Sequence, residues 1–101
     1  PCIVKNGQAY GNADTFAAEG FKDPGITVYD ARRSCIGIKA DGRVVVLTAY
    51  TNLASLSKVM LYLGCTDAVN CDGGGSTNLY VGGQWLFGPQ SRPLNHMLVF
   101  K

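Results

Sequence analysis

The spacing of apolar and polar positions changes period along this chain, and the changes mark out its elements. Cys2-Ile3-Val4-Lys5 and Gln8-Ala9-Tyr10 flank Asn6-Gly7. Asn-Gly accepts the positive φ angles of a tight turn, so a short hairpin is predicted there. Residues 11–25 hold three glycines and a proline with little periodicity. They read as loop with a helical turn near Thr15–Glu19, followed by a short strand over Ile26–Tyr29. Ser34–Lys39 and Arg43–Tyr50 are β-rich runs on either side of Ala40-Asp41-Gly42, which predicts a hairpin. The period then becomes helical: Leu53, Leu56, Met60 and Leu63 recur on one face, Thr51 or Asn52 can cap the start, and Gly64 can end it. Ala68–Cys71 reads as a strand running into a glycine triplet. Leu79–Val81 and Gln84–Phe87 form another hairpin about Gly82-Gly83, and Leu94–Phe100 forms a last strand. The pattern predicts an α+β fold, a mainly antiparallel sheet with one principal amphipathic helix packed on it.

Composition narrows this picture. With 101 residues, 47% hydrophobic and 16% charged, the chain fits one globular domain with a modest core. No apolar run approaches the ~18 residues of a membrane span. The N-terminus lacks the basic and apolar regions of a signal peptide, which favours a cytoplasmic setting over export while leaving the compartment open. The net charge is +2, and the nine basic residues are scattered with no run longer than Arg32-Arg33. Binding of nucleic acid through a basic surface is therefore not expected. Cys2, Cys35, Cys65 and Cys71 match no CxxC spacing. They read as buried free thiols, with one or two disulfides open if the protein is exported.

The chemistry concentrates in Asn70-Cys71-Asp72-Gly73-Gly74-Gly75-Ser76-Thr77. Three consecutive glycines after a strand cost backbone entropy on folding. One explanation is a β-bulge or wide turn. The flanking polar groups favour another: bare N–H groups can approach a ligand closely, and concave arrays of them suit anionic oxygens. A carboxylate beside them adds a catalytic group. The segment is not a P-loop, since no Gly-Lys-Ser/Thr and no helix follow.

Asn70-Cys71-Asp72-Gly73-Gly74-Gly75-Ser76 is similar to the Asn-Leu-Asp-Gly-Gly-Gly-Ser signature of the phosphodiester glycosidase family. The resemblance extends along the chain. Arg33-Ser34-Cys35-Ile36-Gly37 resembles that family's Arg-Thr-x-x-Gly strand. Leu53–Gly64 resembles the helix before the signature. Arg92 to Val99 resembles its closing Arg-x-x-Asn-x-Leu-Val strand. Residues 33–100 thus match in order and spacing. Two departures stand out: Ala49-Tyr50-Thr51 replaces an Asp-Gly of the family, and the family domain is longer at its N-terminus. The chain therefore resembles a single shortened domain of this type.

The resemblance implies cleavage of a sugar C1–O bond with a phosphate monoester as leaving group. Such a group is stable as an anion and needs little proton donation, so the usual pair of carboxylates is not required. On this resemblance Asp72 would be the nucleophile or the base that positions water. Its alternative role is an Asx-type turn bracing the loop. Ser76 is the second catalytic candidate, its hydroxyl completing an anion site with Thr77 and the N–H groups of Gly73, Gly74 and Gly75. Arg33 and Arg92 would grip the phosphodiester, a guanidinium matching phosphate oxygens with two parallel bonds. Asn70 and Asn95 would bond sugar hydroxyls or fix Asp72. His96 falls on the opposite face from Asn95 and reads either as core or as a group behind the site residues. No cofactor is expected, and a divalent cation on Asp72 stays open. Trp85 and Phe87 share one side of their strand and read as core, the alternative being a stacking platform. The expected partners are a small-molecule glycosyl phosphodiester and either a second copy or a chain supplying the missing N-terminal part, since a shortened sheet leaves an unpaired edge. The competing reading is a non-catalytic module that sequesters a phosphorylated sugar or nucleotide-like molecule.

Overall fold

A computed structural model describes residues 1–93 and 99. Its elements are β1 (Cys2–Lys5), β2 (Gln8–Ala9), α1 (Ala13–Ala18), α2 (Pro24–Thr27), β3 (Ala31–Lys39), β4 (Val44–Thr51), α3 (Leu53–Tyr62), β5 (Cys65–Asn70), a 3₁₀ turn at Gly74–Ser76, β6 (Leu79–Val81) and β7 (Gln84–Phe87). Five strands form one sheet in the order β2-β1-β5-β3-β4, while β6 and β7 pair separately. Every strand pair in both sheets is antiparallel. The fold is α+β, as the periodicity predicts.

Helix α3 covers one face of the sheet. Asn52 caps it by accepting from the Ser55 N–H at 2.9 Å, and Leu53, Leu56, Ser57 and Met60 are its buried positions. These side chains meet Ile3, Val4, Cys35, Cys65 and Ala68 in the core. Ser57 donates its hydroxyl to the Ile3 carbonyl at 2.6 Å, so the one polar group on the buried stripe is satisfied. Close approach here depends on Gly37. A Cβ at that position would lie 2.7 Å from Met60 Cε and 2.8 Å from Cys65 Sγ. Across the sheet the register aligns Ile36 with Val46 and Val69, and Ile38 with Val44. Ile38, Val44, Val46 and Val69 are all exposed, so the second face is apolar and uncovered among the described residues.

Four expectations change. Ile26–Tyr29 is not a strand: Asp23 accepts from the Gly25 N–H at 2.8 Å and Pro24 opens a short helix. The helical turn expected at Thr15–Glu19 begins earlier, because Asn12 forms a capping box with Thr15. Two strands are longer than expected, β3 starting at Ala31 and β5 at Cys65. Trp85 is not core but about half exposed, at 47%. The strand expected at Leu94–Phe100, with Asn95 and His96, lies outside the described residues.

The candidate active site

Strand β5 delivers the site. Antiparallel pairing places Asn70 opposite Cys35 on β3. One residue on, the Cys71 N–H donates to the Ser34 carbonyl at 2.7 Å, and the Ser34 hydroxyl donates to the Asp72 carbonyl. The chain then leaves the sheet. Gly73 passes so close to β3 that a Cβ would lie 2.6 Å from the Arg32 carbonyl oxygen. Gly74 follows with φ +57°, in the left-handed region. The 3₁₀ turn closes with the Ser76 N–H on the Gly73 carbonyl at 3.0 Å and the Thr77 N–H on the Gly74 carbonyl at 3.2 Å. The N–H groups of Gly74 and Gly75 have no acceptor among the described residues. Asp72 is exposed; its Oδ1 accepts from the Gly73 N–H at 2.9 Å, and its Oδ2 has no partner among the described residues.

Arg33, Asn70, Asp72, Gly73 and Gly74 line one cleft of about 460 Å³, closed on the other side by Phe21, Gly25 and Ile26. Arg33 is 4% exposed. Its Nε donates to the Thr51 carbonyl at 3.1 Å, and its Nη2 donates to the carbonyls of Tyr29 at 2.6 Å and Gly25 at 3.3 Å. Burial lowers its pKa, while Asp30 acts in the opposite direction. Among the described residues Arg33 has no salt-bridge partner. Two of its three nitrogens are thus committed to carbonyls, which leaves Nη1 and the charge for a ligand. The Asn70 amide donates to the Cys71 carbonyl at 2.9 Å. The buried oxygens Asn70 Oδ1 and Thr77 Oγ1 have no partner among the described residues.

The remaining expected residues that the structure describes, Gly75, Ser76, Thr77 and Arg92, do not line this cleft. Gly75, Ser76 and Thr77 continue the loop, with Thr77 fully buried. Arg92 is exposed and donates from Nη1 to Ser76 Oγ at 3.1 Å. Asn78, read from the sequence only as one of the polar groups after the turn, holds the loop's exit: its Nδ2 donates to the Ser76 carbonyl at 3.2 Å and its Oδ1 accepts from the Gln90 N–H at 2.9 Å. Phe21, Gly25 and Ile26 were also missed. The Asp23-Pro24 pair was the available signal, an N-cap followed by proline at the first helical position. No group of three or more metal-ligating side chains is assembled among the described residues. All four cysteines are free, Cys35 and Cys65 fully buried and Cys2 and Cys71 partly so. No helix among the described residues is long and apolar enough to cross a membrane.

A glycine loop at a strand end, an exposed acidic group and a buried guanidinium thus line one cleft on an α+β scaffold. The sequence profile of the phosphodiester glycosidase family matches residues 1–101, and the chain belongs to that family. Comparison with curated proteins gave no match. Among solved structures, a hypothetical protein from Synechocystis is 31% identical with a TM-score of 0.72, over 85% of this chain and 17% of that one. A putative exported protein from Burkholderia pseudomallei is 37% identical with a TM-score of 0.56, over 61% of this chain and 14% of that one. The catalytic domain of zebrafish N-acetylglucosamine-1-phosphodiester alpha-N-acetylglucosaminidase, auto-inhibited by its pro-peptide, shares the fold with a TM-score of 0.69 at 20% identity. That match covers 87% of this chain and 33% of the zebrafish chain. The chain thus spans a third or less of the length of each of these structures.

Proposed function

We propose that the cleft hydrolyses glycosyl-1-phosphodiesters, with Asp72 as the group that attacks C1 or draws a proton from the attacking water. The observation that carries this reading is the pairing, in one cleft, of the exposed Asp72 carboxylate with the buried Arg33 guanidinium that lacks a carboxylate partner. A buried charge with no carboxylate in direct contact is costly; Asp30 acts on Arg33 only from beyond ion-pair distance, and an anionic diester would supply a direct partner. The unused N–H groups of Gly74 and Gly75 fit the same anion. Arg33 contributes its charge and Nη1, while the exposed Arg92 beside Ser76 keeps the two-nitrogen fork that grips phosphate oxygens. Asn70 bonds a sugar hydroxyl through its unpartnered Oδ1. The water oxygen bonds C1 as Asp72 takes one of its protons, the C1–O bond breaks with its electron pair passing to oxygen, and the phosphate monoester leaves as an anion.

The test is turnover of an N-acetylglucosamine-1-phosphodiester by wild type and by Asp72→Asn. The variant should lose at least about a hundredfold in turnover, with affinity held or improved because a negative charge near the phosphate is gone. An undiminished rate would reduce Asp72 to a brace for the loop. Wild type that binds without turnover would favour the sequestering module. The uncovered row Ile38, Val44, Val46 and Val69 and the outer edge of β4 support a second copy, or further chain, against the sheet. Sedimentation should show a species heavier than one chain, and a clean monomer at micromolar concentration would refute the assembly.

A further inference from the structure

The cleft has two unlike ends. Asn70 and Asp72 enter it from the end of β5, and each keeps one side-chain oxygen without a partner among the described residues. Strand β3 lies between β5 and β4 in the sheet. Its Arg33 reaches away from β5, since Nε donates to the carbonyl of Thr51, the last residue of β4. Around that end of the guanidinium the lining turns apolar. Ala31 precedes Arg33 by two residues on β3, so the two side chains share a face, and Ala31 pairs with Thr51. Ile26 follows Gly25, whose carbonyl accepts from Arg33 Nη2 at 3.3 Å. Ile26 and Ala31 both line the cleft and are partly exposed.

The backbone at this end is already committed. The Gly25 N–H donates to the Asp23 carboxylate at 2.8 Å, and the Ile26 N–H donates to the Asp23 carbonyl at 2.9 Å. The carbonyls of Gly25, Tyr29 and Thr51 accept from Arg33. Of the groups just named only Arg33 Nη1 is free, and the phosphate takes it. A hydroxylated group seated here would give up its hydrogen bonds to water and find no replacement in them. An apolar group gains by leaving water at the same place. A diester with its sugar at Asp72 and its phosphate at Arg33 brings the alcohol of its leaving group against Ile26 and Ala31.

We propose that this alcohol is compact and apolar, and that Ile26 and Ala31 are the specificity-determining residues that select it. This rests on the reading of the cleft as a glycosyl-phosphodiester site. The cleft volume of about 460 Å³ is that of a small-molecule site. It sets the size of the alcohol, a single ring or a branched alkyl group and not a long chain.

Three esters of N-acetylglucosamine-1-phosphate test this, those with methanol, with cyclohexanol and with inositol. The cyclohexyl and inosityl groups have the same ring and differ in hydroxyls, so comparing them needs no variant. In wild type the cyclohexyl diester should exceed both others in kcat/KM by on the order of tenfold. If the cleft binds without turnover, the same ratio is read in Kd. In Ile26→Ala the cyclohexyl-to-methyl ratio should collapse toward one, and in Ile26→Val most of it should remain. Ala31→Ser, which puts a hydroxyl on the wall, should lower the cyclohexyl-to-inosityl ratio. An inosityl diester equal to or better than the cyclohexyl diester in wild type overturns the apolar subsite and leaves the cleft standing. A cyclohexyl-to-methyl ratio unchanged in folded Ile26→Ala protein also overturns it. Absence of binding and turnover with all three diesters overturns cleft and subsite together.

Discussion

The sheet with α3 and the loop-hairpin segment from Asp72 to Arg92 use similar residues in opposite ways. Between α3 and the sheet face it covers, apolar side chains disappear into one core, and the buried Ser57 hydroxyl there has its partner. In the second, apolar rings stand half in water while polar atoms on and beside the loop are left without partners. The first region is arranged for stability. The second is held in place by a few anchoring bonds from Ser34 and Asn78 and keeps its chemistry unspent for a ligand. The difference teaches where substitutions should cost folding and where they should cost function.

The largest effect on folding is expected in α3. Leu56→Ala or Met60→Ala should lose about 2–5 kcal/mol in denaturant unfolding, since both are fully buried in the core and the Met60 methyl fills the space above Gly37. Losses below about 0.5 kcal/mol for both would erase the contrast between the two regions. The two arginines sharpen it next. Arg33→Ala leaves three carbonyls in the cleft wall without their donor and should cost about 1–3 kcal/mol of stability as well as affinity for the diester. Arg92→Ala should weaken diester binding by about 1.5–3 kcal/mol and leave stability within about 0.5 kcal/mol. Equal stability losses for the two would place Arg92 in the scaffold. The smallest effect is a dependence on alkaline pH. Burial, with smaller contributions from Cys71 and Cys65, pushes the Cys35 thiol up to about 12 from an ordinary 9.0. The folded state then holds this proton more tightly than the unfolded chain does. Its contribution to stability is intact below about pH 9 and is lost as pH rises toward 12. Unfolding curves at pH 8 and pH 10.5 should show Cys35→Ala narrowing the difference seen in wild type.

Much of the scaffold could be read from local pattern. The stripe Leu53, Leu56, Met60 has helical spacing and Asn52 caps it, so α3 follows from short-range rules. The β3–β4 hairpin is likewise specified by Asp41-Gly42 between two β-rich runs. The misread stretch at Ile26–Tyr29 shows the limit. Apolar residues of four or so have no measurable period, and the Asp23 cap with Pro24 outweighed their strand propensity.

For the candidate site, the sequence by itself determined which residues are available for chemistry: an acid after a strand, a glycine run, and polar groups behind it. The tertiary structure alone decided how they are used. Arg33 and Asp72 are far apart in the chain, and only the antiparallel pairing of β3 with β5 brings them into one cleft. Which nitrogens of Arg33 remain for a ligand depends on carbonyls of Gly25, Tyr29 and Thr51, set by loops with no periodic signature. Exposure of Trp85 had the same origin. Alternation along a strand says which residues share a side, but whether that side meets a core depends on what packs there, and packing is a property of the whole fold.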